Sequence, residues 1–261
     1  MTDAAAPAAS APPRINTVTG ADIRAALAEG WGDFRAAPAF GLFFAAVTVL
    51  GGLVILLQLQ VWGQTWLIIP VSLGFPLLGP FFATGLYEVS RRIEAGEALD
   101  WAGVLGVVFR QKDRQLPSMI MVVIMIFLFW MYAAHLVFAL FLGLKVMTNV
   151  MSSPEVFLTT AGLTMLAVGA FVGFLLALLL FSITVFGLPM LLDREVDVVT
   201  AMVTSVRAVT ASPAPMLCFA AVTAALMLAG LAPFFLGLLV ALPLLGHATW
   251  RLYRRALTYP E

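Results

Sequence analysis

The chain has 261 residues, of which 62% are apolar and 11% charged, with a mean hydropathy of +1.03 and no formal net charge at neutral pH. Soluble domains carry about a quarter charged residues, so this composition excludes an ordinary soluble domain, and long apolar blocks separated by short charged clusters are the pattern of a multipass helical membrane protein. Zero net charge gives no reason to expect nucleic acid or an acidic partner, and the single cysteine, Cys218, can form no intrachain disulfide and reads as a packing residue.

Residues 1–18 are rich in Ala and Pro and read as a disordered tail without a signal-peptide run. Thr19 to Ala37 places Ile23, Leu27, Trp31 and Phe34 at helical spacing, which predicts an amphipathic helix at the membrane interface; Thr19 and Asp22 form its capping box. A packing helix beneath the bundle gives the same pattern. Pro38 opens a first span at about 39–59, and a polar turn at 60–65 leads to a second span at about 66–87. Pro70, Pro76 and Pro80 fall in that second span, where each removes an internal hydrogen bond and is expected to bend or locally unwind the helix.

Asp100 can cap a second amphipathic helix carrying Trp101, Val104, Leu105 and Val108, and a third span follows Pro117 to about Leu142. After a polar connection at 145–155, the block Val156 to Leu192 is longer than a bilayer needs, so a kink near Gly187 and Pro189 or an interfacial turn is expected. Asp197 can cap a third amphipathic helix ending near Arg207. The region from Met216 to Trp250 is either one very long helix or two spans joined at Gly230 to Pro233.

Charge decides between them. With six spans, thirteen of the fourteen lysines and arginines fall on one side and only Lys145 on the other. That is a strong positive-inside bias, with both termini cytoplasmic; a single long last helix would move three arginines outside. The expected fold is therefore an all-α membrane protein with six transmembrane helices in three hairpins, each preceded by an amphipathic helix. It comprises a tail at 1–18, one domain at 19–255 and a short tail at 256–261.

Within that domain a unit recurs at about 19–92, 97–194 and 196–255: amphipathic helix, basic end, proline, span, outer turn, and a span closing on Pro-Leu-Leu or Pro-Met-Leu-Leu before charges. The first and third units share Phe-Ala-Ala-Val-Thr, at Phe44 to Thr48 and Phe219 to Thr223. Units that start and end on one side are parallel repeats about an axis along the membrane normal.

Further motifs are Gly30-Trp31-Gly32-Asp33-Phe34-Arg35, Gly74-Phe75-Pro76-Leu77-Leu78-Gly79-Pro80, the stretches His135 to Phe141 and Asp197 to Pro215, and Pro243-Leu244-Leu245-Gly246-His247. In these residues the chain resembles the bacterial multipass membrane proteins grouped as domain of unknown function 2189. The resemblance implies an integral inner-membrane protein of unknown activity. Members are sometimes labelled cytochrome c oxidase subunit I, but two histidines are too few for two haems and a copper.

In the six-span topology His135 lies about 27 Å into its span, whereas His247 lies about 6 Å before Arg251, in the opposite leaflet. A shared iron is excluded on that topology, and each histidine reads as a hydrogen-bonding packing residue. Glu88 reads as a helix-end ion pair with Arg91 and Arg92, and Asp193, Arg194, Glu195 and Asp197 as a solvated turn. No nucleotide, nucleophile or zinc motif is present, so no enzyme activity, metal or cofactor is expected. The positions singled out as functional or packing candidates are Pro76, Pro80, Glu88, His135, Pro189, Arg207, Pro243 and His247.

The leading expectation is a non-enzymatic accessory or scaffold protein for a respiratory or envelope complex. Its partners are the lipid bilayer, anionic lipid headgroups at the cytoplasmic face and another membrane protein. The alternative is a small transporter or channel, which requires Thr48, Ser72, Thr84, Ser182, Thr184 and Thr223 to gather around a polar cavity.

Overall fold

A computed structural model describes residues 13–60, 68–143 and 154–260, with the backbone alone for 55–56, 58–60, 68–78, 154 and 156. In chain order it contains β1 (Arg14–Ile15), α1 (Gly20–Ala36), α2 (Pro38–Gln60), α3 (Ile68–Ala95), α4 (Trp101–Arg110) and α5 (Leu116–Leu142). These are followed by α6 (Thr160–Thr184), α7 (Gly187–Asp193), α8 (Val198–Ala211), α9 (Pro213–Leu231), α10 (Leu238–Ala256) and β2 (Leu257–Thr258). The chain divides into two compact units, Met1–Ile120 with Ser182–Glu261, and Met121–Phe181. The expected turns at 60–65 and 145–155 lie mostly outside the described residues.

The three amphipathic stretches become α1, α4 and α8, each starting at its expected cap. Thr19 and Asp22 close a reciprocal capping box, Asp100 accepts from the Gly103 amide, and Asp197 accepts from the Thr200 amide. Such caps satisfy amides that have no partner inside the helix.

Two of the three then turn in the same way. Ala37 (φ −136°, ψ 55°) and Ser212 (φ −141°, ψ 62°) precede Pro38 and Pro213, which open α2 and α9. A residue before proline is driven out of the helical region, while proline fits a helix start. The axis consequently bends by 98° between α1 and α2. The middle stretch leaves α4 through a 3₁₀ turn, Gln111–Asp113, instead.

In the first unit α1 lies along α10, with Ile23, Ala26, Gly30 and Phe34 buried and Trp31 exposed. Gly30 permits the crossing: a Cβ there would stand 2.6 Å from the Ala248 backbone nitrogen. Phe40 and Phe44 of α2 pack with Leu86 and Val89 of α3 and Val104 of α4.

The tails need correction. Residues 13–18 are ordered rather than part of a disordered tail, because Arg14 and Ile15 pair antiparallel with Thr258 and Leu257, and Asn16 donates to the Ala256 carbonyl. The short strand after α10 offers free edge groups, and the start of the chain satisfies them.

α3 runs unbroken from Ile68 through Pro70, Pro76 and Pro80 to Ala95, so the expected local unwinding is absent. Its C-terminal part is held against α2, α4 and α10, and each proline removes only one backbone bond. The long fourth block does break as expected, at Val185–Phe186 between α6 and α7. There the Phe186 amide donates to Ser205 Oγ, which donates to the Ser182 carbonyl. α9 and α10 are separate helices joined through 232–237, where Phe234 and Phe235 adopt left-handed φ of 50° and 66°.

Among the described residues three segments are long and apolar enough to cross a membrane: Leu116–Leu142, Thr160–Asp193 and Pro213–Leu231. The bent pair α1 and α2 makes a fourth if counted as one span. α10 is not among them because its 19 residues carry three arginines, and α3 is not because its side chains are described only from residue 79 onward. The second unit, the facing parts of α5 and α6, exposes Phe129, Tyr132, Leu140, Phe171 and Phe174. Apolar surface of that kind belongs in lipid rather than water.

Candidate functional site

The polar residues of the first unit gather where α1, α3, α4, α7 and α10 end or begin. Glu88, 1% exposed, accepts from Arg91 Nε (2.8 Å) and Nη2 (3.0 Å) and from Arg92 Nε (2.7 Å). Helical spacing brings the two arginines back over the carboxylate from the following turn. Arg91 continues to Glu97 at 2.8 and 2.9 Å, and Arg92 to the Ala98 carbonyl and to Asp100, the cap of α4. One buried carboxylate thus ties the end of α3 to the start of α4. The arginines hold the Glu97 carboxyl below its usual value, chiefly through the Arg91 hydrogen bond.

A second group joins helices far apart in sequence. Arg251 of α10 forks onto Asp33 of α1 at 2.7 and 2.8 Å, and Ser90 Oγ of α3 lies 2.8 Å from both Asp33 Oδ2 and His247 Nδ1. Asp33 bound to arginine is acceptor-only, so the single serine proton goes to it, and His247 must donate Nδ1–H to Ser90. That leaves Nε2 as an acceptor, buried and without a hydrogen bond among the described residues.

Around these, Glu94 accepts from Trp250 Nε1 (3.0 Å) and Arg254 Nε (3.1 Å), and Asp193 accepts from the Tyr253 hydroxyl (2.8 Å). The Arg194 guanidinium stacks 4.1 Å from the Tyr259 ring centre. Arg255 forks onto Glu29, whose carboxyl it lowers through that hydrogen bond. Asp193 and Arg194, read as a solvated turn, are instead the anchor of α7 on α10 and the C-terminal segment.

Glu88 and His247 are therefore brought to one end of the first unit, in neighbouring networks. Pro243 is buried in α10 and touches the place where a Cβ on Gly41 would stand. Pro189 is buried in the first turn of α7, where a missing N–H costs nothing. Pro80 is buried and its carbonyl accepts from Thr84 Oγ1 at 2.8 Å, while Pro76 is placed by its backbone alone. Arg207 is exposed on α8. His135 belongs to the second unit, beside a hollow of about 470 Å³, and its Nδ1 engages the Met131 carbonyl of its own helix (2.7 Å). Asp33, Ser90 and Arg251 are not legible as site residues in the sequence: Gly30-Trp31-Gly32-Asp33 stands out as a motif, but nothing local says that its acid meets an arginine 218 positions away.

The residues expected to distinguish a transporter divide. Thr48 and Thr223, the matching ends of the two Phe-Ala-Ala-Val-Thr stretches, line one cavity of about 440 Å³ between α2, α3, α9 and α10. Thr48 Oγ1 is spent on the Phe44 carbonyl, whereas Thr223 Oγ1 is buried without a partner. Thr84 turns back on its own helix, Ser182 and Thr184 lie at the α6 break, and the Ser72 side chain lies outside the described residues. Among the described residues no group of three His, Cys, Asp or Glu side chains can hold a metal ion.

Apolar helices with exposed apolar faces, and buried charges that pair with one another, define an α-helical integral membrane protein. A family model described as "Predicted integral membrane protein (DUF2189)" matches residues 68–193. Over that segment, from α3 to the end of α7, the chain is similar to this family. No curated protein and no solved structure matches the chain.

Proposed function

We propose that the protein is a non-enzymatic accessory or scaffold protein of the bacterial inner membrane, serving a respiratory or envelope complex. It has six spans in three parallel repeats and both termini in the cytoplasm. The observation that carries this reading is the use made of charge: Asp33, Glu88, Glu94 and Asp193 are all engaged in holding helices together. A transport path needs ionisable or polar groups that face a substrate and change partners. The thirteen-to-one charge bias supports the orientation, and the like dihedrals at Ala37 and Ser212 support the relation between first and third repeats.

Affinity purification from native membranes in a gentle detergent, with mass spectrometry of the eluate, tests the role. A stoichiometric membrane-protein partner is the expected result. A homo-oligomer with no partner contradicts it and favours the second reading, a small transporter. The shared cavity of Thr48 and Thr223 is the specific feature in favour of that reading.

A further inference from the structure

A third cavity, of about 400 Å³, lies where α3 meets the connection from α4 to α5. Arg91, Arg92, Arg110 and Arg114 line it, against only two acids, Glu88 and Glu195. Glu88 is enclosed by Arg91 and Arg92, and Arg114 pairs with Glu195, whose side chain is 69% exposed. A pair this exposed is weak and gives way to a better acceptor.

Among the described residues, two groups at the cavity have no protein partner. The Arg110 guanidinium makes no hydrogen bond or ion pair among the described residues, and neither does the side-chain amide of Gln111. Gln111 is only 2% exposed. Gln111 lines the hollow, and its amide is open to bonding what enters it. An arginine fork and an amide donor converging on one hollow match the several acceptor oxygens of a phosphate.

We infer that this cavity is a binding site for a phosphate-bearing anion, held by Arg110, Arg114 and Gln111. α5, a helix apolar enough to span alone, opens at Leu116, two residues after Arg114, and Trp101 and Phe109 of α4 are exposed. That neighbourhood places the site at headgroup level, so the phosphate comes either from an anionic phospholipid or from a soluble phosphate compound. The site deepens the proposed contact with anionic headgroups and rests on it for location only.

The test uses the full chain purified in maltoside micelles, which contain no phosphate. One arm titrates inorganic phosphate and glycerol 3-phosphate by calorimetry at constant ionic strength. The other adds phosphatidylglycerol and counts retained lipid by native mass spectrometry. Arg110→Gln removes the unpaired cation and leaves the Glu88 network intact, while Arg207→Gln removes the same charge from exposed α8. Saturable binding in either arm, weakened about tenfold by Arg110→Gln and less than about twofold by Arg207→Gln, is the expected result, and the arm that responds names the source. Absence of saturable binding in both arms, no effect of Arg110→Gln, or equal loss in both variants overturns the inference. Neither arm involves a partner protein, so failure here and failure of the scaffold reading are separate results.

Discussion

The Asp33–Arg251 pair shows how a single residue carries long-range structure. Both side chains are largely buried, 6% and 17% exposed, and removal of one leaves the other charge without compensation. Asp33→Asn is expected to lower stability by about 3 kcal/mol, read as a fall in melting temperature of the detergent-solubilised protein. A change below about 0.5 kcal/mol would show that water already screens the pair. His135 is the contrast, since its ring serves only its own helix. His135→Leu is expected to shift stability by less than about 0.5 kcal/mol, and a larger loss in the same melting assay would give the residue a role the described contacts lack. At this scale the sequence was readable only where partners are neighbours. Glu88 with Arg91 and Arg92 could be seen from spacing, whereas Asp33, Ser90 and Arg251 meet only after α1, α3 and α10 assemble.

For whole elements, local chemistry and the fold agree more closely. Thr19, Asp100 and Asp197 cap as their positions suggest, and the prolines after Ala37 and Ser212 turn the chain. The Asp197 carboxyl lies below its ordinary value of 3.8, first because the Thr200 hydroxyl donates to it, and Asp22 is lowered likewise by Thr19. A depressed folded-state value stabilises the fold above the unfolded value and is lost as pH falls through the folded one. Stability should therefore decline below about pH 4, and Asp197→Asn, still a good cap, should flatten part of that decline. An unchanged pH profile in the variant would remove Asp197 from the account. Gly30→Leu should cost about 2 kcal/mol or more by forcing α1 off Ala248; a variant with unchanged melting would mean that the crossing relaxes freely. What the sequence could not show was the strand pair that joins the two tails, because two-residue strands carry no periodic signal.

On the scale of the molecule, composition announces a helical membrane protein; three or four spans are counted among the described residues, and the charge distribution argues for six. α10 falls outside that count because its three arginines enter the polar assembly around Asp33 and Glu94, and α3 because its side chains are described only from residue 79 onward. In a six-span arrangement thirteen of the fourteen lysines and arginines would fall on one side. All of the proposed roles, scaffold and anion site alike, require that polar assembly to face the cytoplasm. The most direct measurement is cysteine labelling in a Cys218→Ala background, with single cysteines at Gly63, Ser152, Ala232, Ala98 and Thr258. A membrane-impermeant maleimide applied to spheroplasts should label the first three positions, and the last two only after the membrane is permeabilised. Labelling of Ala98 or Thr258 in intact spheroplasts would contradict the account.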